Sequence, residues 1–230
     1  MADRKIPIHI GIIPDGNRRW AVSKGLDNLK GYSKVDYNHL ESLLLEAKKL
    51  GVKYVSLWFF STENWKRPKI EVDFLFNHFL KNTDKLLEGC LKNKVKVRHL
   101  GRKDRLPKKV LDALDKLESE TCGFKDFTVL LCVDYGGRDE ILRAVNKVLS
   151  LGVSKIDEDS LRNLLDTKDI PDPDLIIRTS GEMRLSGFMP FQSVYSEFYF
   201  PSMHFPDFKP ENLKEAVEEY SKRKRNMGGN

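Results

Sequence analysis

The sequence predicts an α/β fold: a single domain over residues 1–230, with a mainly parallel central sheet of about six strands flanked by helices. Three observations predict it. Short apolar runs of strand type alternate with longer stretches of helical periodicity, the signature of right-handed βαβ units. The strand runs are apolar almost throughout, as expected for strands covered on both faces. No repeat, low-complexity segment or linker divides the chain, and 230 residues suffice for one sizeable core.

Taken in order, Ile8 to Ile13 reads as the first strand, followed by a loop containing Gly25 and Gly31. A helix from Lys34 to Leu50 carries Leu40, Leu43, Leu44 and Ala47 on one face and stops at Gly51. Tyr54 to Phe60 is the second strand. Val72 to Leu91 is a helix whose Phe74, Phe76, Phe79, Leu86 and Leu87 give an apolar surface wider than one core face needs. Such a helix is either buried between the sheet and a neighbour or walls a hydrophobic cavity. Val95 to Leu100 is the third strand, and Pro107 opens a helix bearing Val110, Leu114 and Leu117. Thr128 to Val133 is the fourth strand; it ends in Asp134-Tyr135-Gly136-Gly137-Arg138 before a helix with Ile141, Leu142, Val145 and Leu149. A short helix spans Asp159 to Leu165. Leu175 to Ile177 and Glu197 to Phe200 complete the strands, and Lys209-Pro210 starts a terminal helix that runs to Arg223.

Composition excludes several classes. Forty Lys and Arg against 34 Asp and Glu leave a net charge of +6, enough for an anionic ligand but too dispersed for a nucleic-acid partner. Three cysteines far apart, with no Cys-x-x-Cys, argue against disulfides and structural zinc and for a reducing, cytoplasmic setting. Met1 to Pro7 lacks a signal-type apolar region, and no run reaches the length of a membrane span. No P-loop, dinucleotide fingerprint or nucleophile elbow is present.

The chemistry concentrates in polar loops after three strands: Asp15 to Trp20, Ser61 to Arg67 and Arg178 to Ser186. In a parallel sheet all three leave the same edge, where ligands of open α/β sheets bind. Asp15 offers a carboxylate for a hard cation, and Gly16 lets the backbone approach a ligand closely. Arg18, Arg19, Arg178 and Arg184 present guanidinium forks suited to phosphate oxygens, with the Ser186 hydroxyl beside them. A lone Asp-Gly-Asn run is as readily a plain turn. Three such loops on one edge exceed what structure alone requires.

Four blocks in order, His9–Trp20, Phe60–Pro68, Asp134–Arg138 and Ile177–Ser186, resemble the signature segments of the cis-prenyltransferases, the undecaprenyl diphosphate synthase-like enzymes. The resemblance continues through Tyr195–Phe200 and spans nearly the whole chain. It implies condensation of isopentenyl diphosphate with an allylic prenyl diphosphate to form a Z double bond. It also implies a hydrophobic tunnel, a homodimer, and peripheral membrane contact through the lipid product. Residue by residue, it implies Mg2+ held by Asp15, with Glu197 as a late acidic residue at the metal or at the partner's site. Gly16, Asn17, Arg18 and Arg19 would cradle the allylic diphosphate with Trp20 beside it. Arg178, Arg184 and Ser186, with Leu185 between them, would bind isopentenyl diphosphate. Asn64 matches the position linked to proton removal, within a loop completed by Ser61, Thr62, Glu63, Trp65 and Arg67.

The chain also departs from the family pattern. Where members carry an Arg and a Gly-His pair against the allylic diphosphate, this chain has Asn28 and Gly31-Tyr32. Arg225-Asn226-Met227-Gly228 stands in place of an Arg-Phe-Gly-type tail. Phe59 replaces a commonly small residue; with its ring in the tunnel it implies short to medium products, and with its ring in the core it implies nothing about length. A second allylic diphosphate or another acceptor in place of isopentenyl diphosphate stays open, as does a non-catalytic subunit of a heteromeric enzyme.

Overall fold

Every strand expected from the apolar runs forms, and all of them pair in parallel. The computed structural model describes residues 5–152 and 155–224, so the Arg225–Gly228 tail lies outside the described residues. The strands are β1 (His9–Ile13), β2 (Tyr54–Ser61), β3 (Lys96–Leu100), β4 (Thr128–Tyr135), β5 (Leu175–Arg178) and β6 (Glu197–Tyr199). Their order across the sheet is β3-β4-β2-β1-β5-β6. From β1 the chain moves to β2 on one side, and from β5 it moves to β6 on the other. The carboxyl ends of β1 and β5 therefore flank the switch point where a crevice opens. Ile13 pairs with Arg178 across that junction, which sets the first and third polar loops side by side.

The helices are α1 (Asn17–Ser23), α2 (Lys30–Lys34), α3 (Tyr37–Lys49), α4 (Lys69–Lys92), α5 (Lys108–Thr121), α6 (Gly137–Ser150), α7 (Glu158–Arg162) and α8 (Pro210–Lys222). One sheet face, with Ile10, Val55, Leu57, Val129 and Ile177, packs against α3, α4, α5 and α8 in the larger core. The other face packs Leu130, Cys132 and Ile176 against Ile170, Phe188 and Met189. Asp36 caps α3 by accepting from the His39 amide at 3.0 Å, and Asp157 caps α7 from Ser160 at 2.8 Å.

Two local features differ from the sequence reading. The segment expected as a loop after β1 contains α1 and α2. Trp20 and Ala21 bury a short apolar face there, which two adjacent arginines conceal from a periodicity argument. The second is a bulge in β2: Trp58 pairs with Cys132 and Phe60 with Val133, leaving Phe59 as the extra residue. Alternation alone would send Phe60 to the face of Trp58. The bulge instead puts Phe59 and Phe60 on the α4 side, against Phe79 at 5.5 Å and Phe76 at 4.8 Å respectively.

Candidate active site

The turn after β1 is held from both sides. The Thr179 hydroxyl accepts from the Asp15 amide at 2.9 Å and donates to the Asp15 carbonyl at 2.8 Å. The Phe205 amide donates to the same carbonyl at 3.0 Å. Gly16 adopts φ 90°, and a Cβ there would stand 2.2 Å from Ser180 Oγ and 2.5 Å from His204 Nδ1. Only glycine serves at that point. Its amide donates to Asp15 Oδ1 at 2.6 Å.

The Asp15 carboxylate meets Arg178 Nη2 at 2.8 Å and Nε at 3.2 Å, and Arg19 Nη2 at 3.4 Å. Burial raises the Asp15 pKa, but the Arg178 hydrogen bonds and charge, the Gly16 amide and Arg19 together hold it below the usual carboxylate range. Arg178 is itself buried and also donates to the Arg184 carbonyl at 2.5 Å and Ser186 Oγ at 2.7 Å. Glu182 bridges Arg19, at 2.7 Å, and Arg184 at the rim. Hydrogen bonds from Arg184 and Arg19 lower the Glu182 pKa.

The second loop folds as a 3-10 turn over Thr62–Lys66. Asn64 Oδ1 accepts from the Ser61 amide at 3.1 Å, which fixes the side chain at the cavity wall. Arg67 donates to the Tyr32 hydroxyl at 2.9 Å and to Glu71 Oε1 at 2.8 Å, while Arg18 reaches Glu71 Oε2 at 3.5 Å. These loops rim a cavity of about 640 Å³. Away from the loops its lining is mainly apolar, with Leu57, Phe59, Leu75, Phe79 and Leu86 from β2 and α4 beside the polar His78 and Asn82. α4 thus does both things its breadth allowed: Val72, Phe76 and Leu87 pack in the core, and Leu75, Phe79 and Leu86 wall the cavity.

The structure gathers most of the expected site. Asp15, Gly16, Asn17, Arg18, Arg19 and Tyr32 line the cavity, as do Ser61, Glu63, Asn64, Arg67, Arg184 and Ser186. Arg178 lines it too, but its fork engages Asp15, Arg184 and Ser186, so it acts as a strut between the first and third loops. Other residues stand apart from the cavity. Trp20 is buried behind the first loop, and Asn28 borders a neighbouring depression with Arg18, Arg19, Val22 and Ser23. Leu185 packs against the second core cluster, Thr62 faces Gly136, and Trp65 turns inward to donate to Asp134 at 2.8 Å. Glu197 does not join Asp15. It pairs with Leu175 at the amino end of β5 and binds Arg223 at 2.9 Å, whereas Asp15 follows the carboxyl end of β1. A strand's two ends cannot contribute to one ion within this chain.

Sequence reasoning missed Glu71, Thr179, Glu182 and His204. Glu71 left a signal in its spacing of four residues from Arg67, and Thr179 and Glu182 stand inside the third polar loop. Among the described residues no three His, Cys, Asp or Glu side chains form a metal cage. A hard divalent cation held by one or two carboxylates and substrate phosphates needs none. One ionised, half-buried carboxylate at the mouth of an arginine-rimmed cavity fits that kind of binding.

A family model for putative undecaprenyl diphosphate synthases matches residues 13–228. The isoprenyl transferase of Thermotoga maritima is 46% identical over 229 residues, 98% of each chain. That of Aquifex aeolicus is 41% identical, over 97% of this chain and 96% of its own. Among solved structures, lavandulyl diphosphate synthase from Lavandula x intermedia in complex with dimethylallyl diphosphate superposes with a TM-score of 0.92 at 33% identity, over 97% of this chain and 99% of its own. A probable undecaprenyl diphosphate synthase from Campylobacter jejuni gives 0.82 at 32% identity, over 98% and 100%.

Proposed function

This chain belongs to the undecaprenyl diphosphate synthase family of prenyl-transferring enzymes, and on that premise we infer that it condenses isopentenyl diphosphate with an allylic prenyl diphosphate to a Z-configured product of short to medium length. One observation carries the reading: a single cavity joins an arginine-rimmed mouth to an apolar depth. Diphosphate and isoprenoid tail need those two environments in that order.

At the mouth, Asn17, Arg18, Arg19 and the Gly16 backbone receive the allylic diphosphate. Asp15 would hold Mg2+ there, and a bound divalent cation would supply positive charge for the leaving diphosphate. The fixed guanidinium groups add preorganised stabilisation at the same place. The apolar depth excludes water from the allylic cation. Arg184 and Ser186 receive the second diphosphate, held in place by Arg178. Asn64, on the facing loop, orients the proton to be lost; beside a carbocation only a weak base is required. Tyr32, whose hydroxyl accepts from Arg67 and donates to Glu71, stands at the cavity wall beside the allylic diphosphate.

A second reading replaces isopentenyl diphosphate with a second allylic diphosphate. The likeness to lavandulyl diphosphate synthase, whose structure holds dimethylallyl diphosphate, favours it. Mass spectrometry of products separates the two readings. Isopentenyl diphosphate with allylic primers of increasing length should yield chains extended by five-carbon units, and chromatography against E and Z standards gives the geometry. Product from an allylic diphosphate alone would establish the second reading; no product from either mixture would overturn both.

Residues Leu142, Val145 and Leu149 leave an exposed apolar stripe along α6, which supports a homodimer, testable by sedimentation. No helix among the described residues is long and apolar enough to cross a membrane. Cys90, Cys122 and Cys132 are all free, in keeping with a cytoplasmic enzyme that meets the membrane through its lipid product.

A further inference from the structure

The run Asp134-Tyr135-Gly136-Gly137-Arg138 leaves the carboxyl end of β4 beside the second loop, yet none of its residues lines the cavity. Asp134 is fully buried, and its φ of 52° lies in the left-handed region that residues with side chains seldom adopt. Arg105 meets its carboxylate with both prongs, Nε to Oδ2 and Nη2 to Oδ1, each at 2.6 Å. A third donor is Trp65 Nε1, 2.8 Å from Oδ1. The Arg105 guanidinium also lies over the Trp65 ring, 5.9 Å from its centroid.

Trp65 sits on the 3-10 turn that carries Asn64, and its ring packs against Phe60 at 5.2 Å and Phe76 at 5.5 Å. The glycines of the run close the remaining gaps. A Cβ on Gly136 would stand 2.3 Å from Thr62 Oγ1, and the Gly137 amide donates to the Gly187 carbonyl at 2.8 Å. The end of β4 thus touches the second and third loops together.

We propose that Asp134, with Arg105 as its counter-ion, is a positioning residue that aims Asn64 into the cavity through Trp65. A buried ion pair adds little stability over apolar residues of equal volume. This one adds direction. Three donors on two oxygens fix the carboxylate, and the indole N–H passes that constraint to the residue next to Asn64. Arg105 is half exposed and lies outside the cavity, so its effect on turnover runs only through this brace.

The inference rests on the reading of Asn64 as a group that acts on the second substrate, and its test has two independent arms. The first follows prenyl transfer by Arg105→Met, Arg105→Lys and the double variant Arg105→Met with Asp134→Asn. Displacing a reacting group by about 1 Å costs on the order of a hundredfold, so Arg105→Met should lose tenfold or more in kcat with the allylic KM unchanged. Arg105→Lys should fall between, keeping the charge but not the fork. The double variant should recover most of the loss, because Asn strands no charge and still accepts from Trp65. The second arm needs no turnover: the Asn64 side-chain amide resonance in 15N spectra should shift in Arg105→Met and return in the double variant. A wild type without activity would sink the assignment of Asn64 while leaving this arm to decide the brace. Should Arg105→Met fail to fold, Arg105→Lys and the double variant decide. An unmoved Asn64 resonance, or turnover within twofold of wild type in a folded Arg105 variant, would overturn the proposal.

Discussion

The two ends of the sheet hold buried polar clusters of similar make-up and opposite character. At the amino end, His9 is fully buried; its Nδ1 donates to the Pro171 carbonyl at 2.6 Å and its Nε2 accepts from Ser56 Oγ at 2.7 Å. Asp174 closes that end by accepting from the Ile8 and His9 amides at 2.7 and 3.2 Å. Burial drives the His9 pKa down from 6.5 to about 4, so the ring is neutral and both its nitrogens are satisfied. At the carboxyl end, Asp15 is ionised, its partners are guanidinium groups, and the cluster faces a cavity. A buried polar cluster is structural where neutral partners exhaust its hydrogen bonds. It is chemical where charges are fixed in place with capacity left toward an open space.

Four substitutions break or sharpen that contrast. Asp15→Ala should lower turnover by about a hundredfold or more, the scale of losing a key charge-stabilising group. Steady-state kinetics on folded protein checks this, and near-normal kcat would remove Asp15 from the chemistry.

His9→Gln should do the reverse, changing stability and leaving kcat at neutral pH within a factor of about two, since His9 lies outside the cavity. The unfolded state takes up a proton near pH 6.5, while the folded ring resists until about pH 4. The unfolded state therefore binds more protons in that window, and stability falls as pH drops through it. At about 1.4 kcal/mol per unit the wild type loses roughly 3 kcal/mol to this group, and His9→Gln should flatten that part of the urea-unfolding profile. A steep loss of kcat with the fold intact would place the amino end in the mechanism.

Arg184→Ala is the next smaller effect. Its guanidinium is freer for a ligand than that of Arg178, whose removal would also release Asp15. The charge-assisted bonds at stake are worth about 1.5–3 kcal/mol, so KM for the second substrate should rise at least tenfold and that for the primer much less. The opposite ranking would exchange the two diphosphate positions.

The mildest is Phe59→Ala in the cavity depth. Its ring fills volume that roughly one further five-carbon unit would occupy, so products should lengthen by about that much with the fold retained. A loss of about 3–5 kcal/mol with an unchanged product distribution would make Phe59 a core residue instead.

Much of this molecule was legible because its chemistry is local. The strands β1, β2 and β4 announce themselves as apolar runs, and the polar groups of each loop are contiguous with the strand that delivers it. Parallel topology then puts Asp15, Asn64 and Arg184 on one edge without any coordinates. The arrangement within the site was another matter. That Arg178 serves Asp15, 163 residues away, depends on Ile13 and Arg178 standing in register. That Phe59 and Phe60 share a face depends on a bulge, and that Trp65 looks inward depends on Asp134. Glu197 lies at the wrong end of the sheet for Asp15 because register, not residue type, places it beside Leu175. The sequence by itself determined which residues occupy each strand end, since strand and loop are encoded in neighbouring residues. Only the tertiary structure decided where each side chain points and which partner it meets, because direction and pairing are set by packing between segments far apart in the chain.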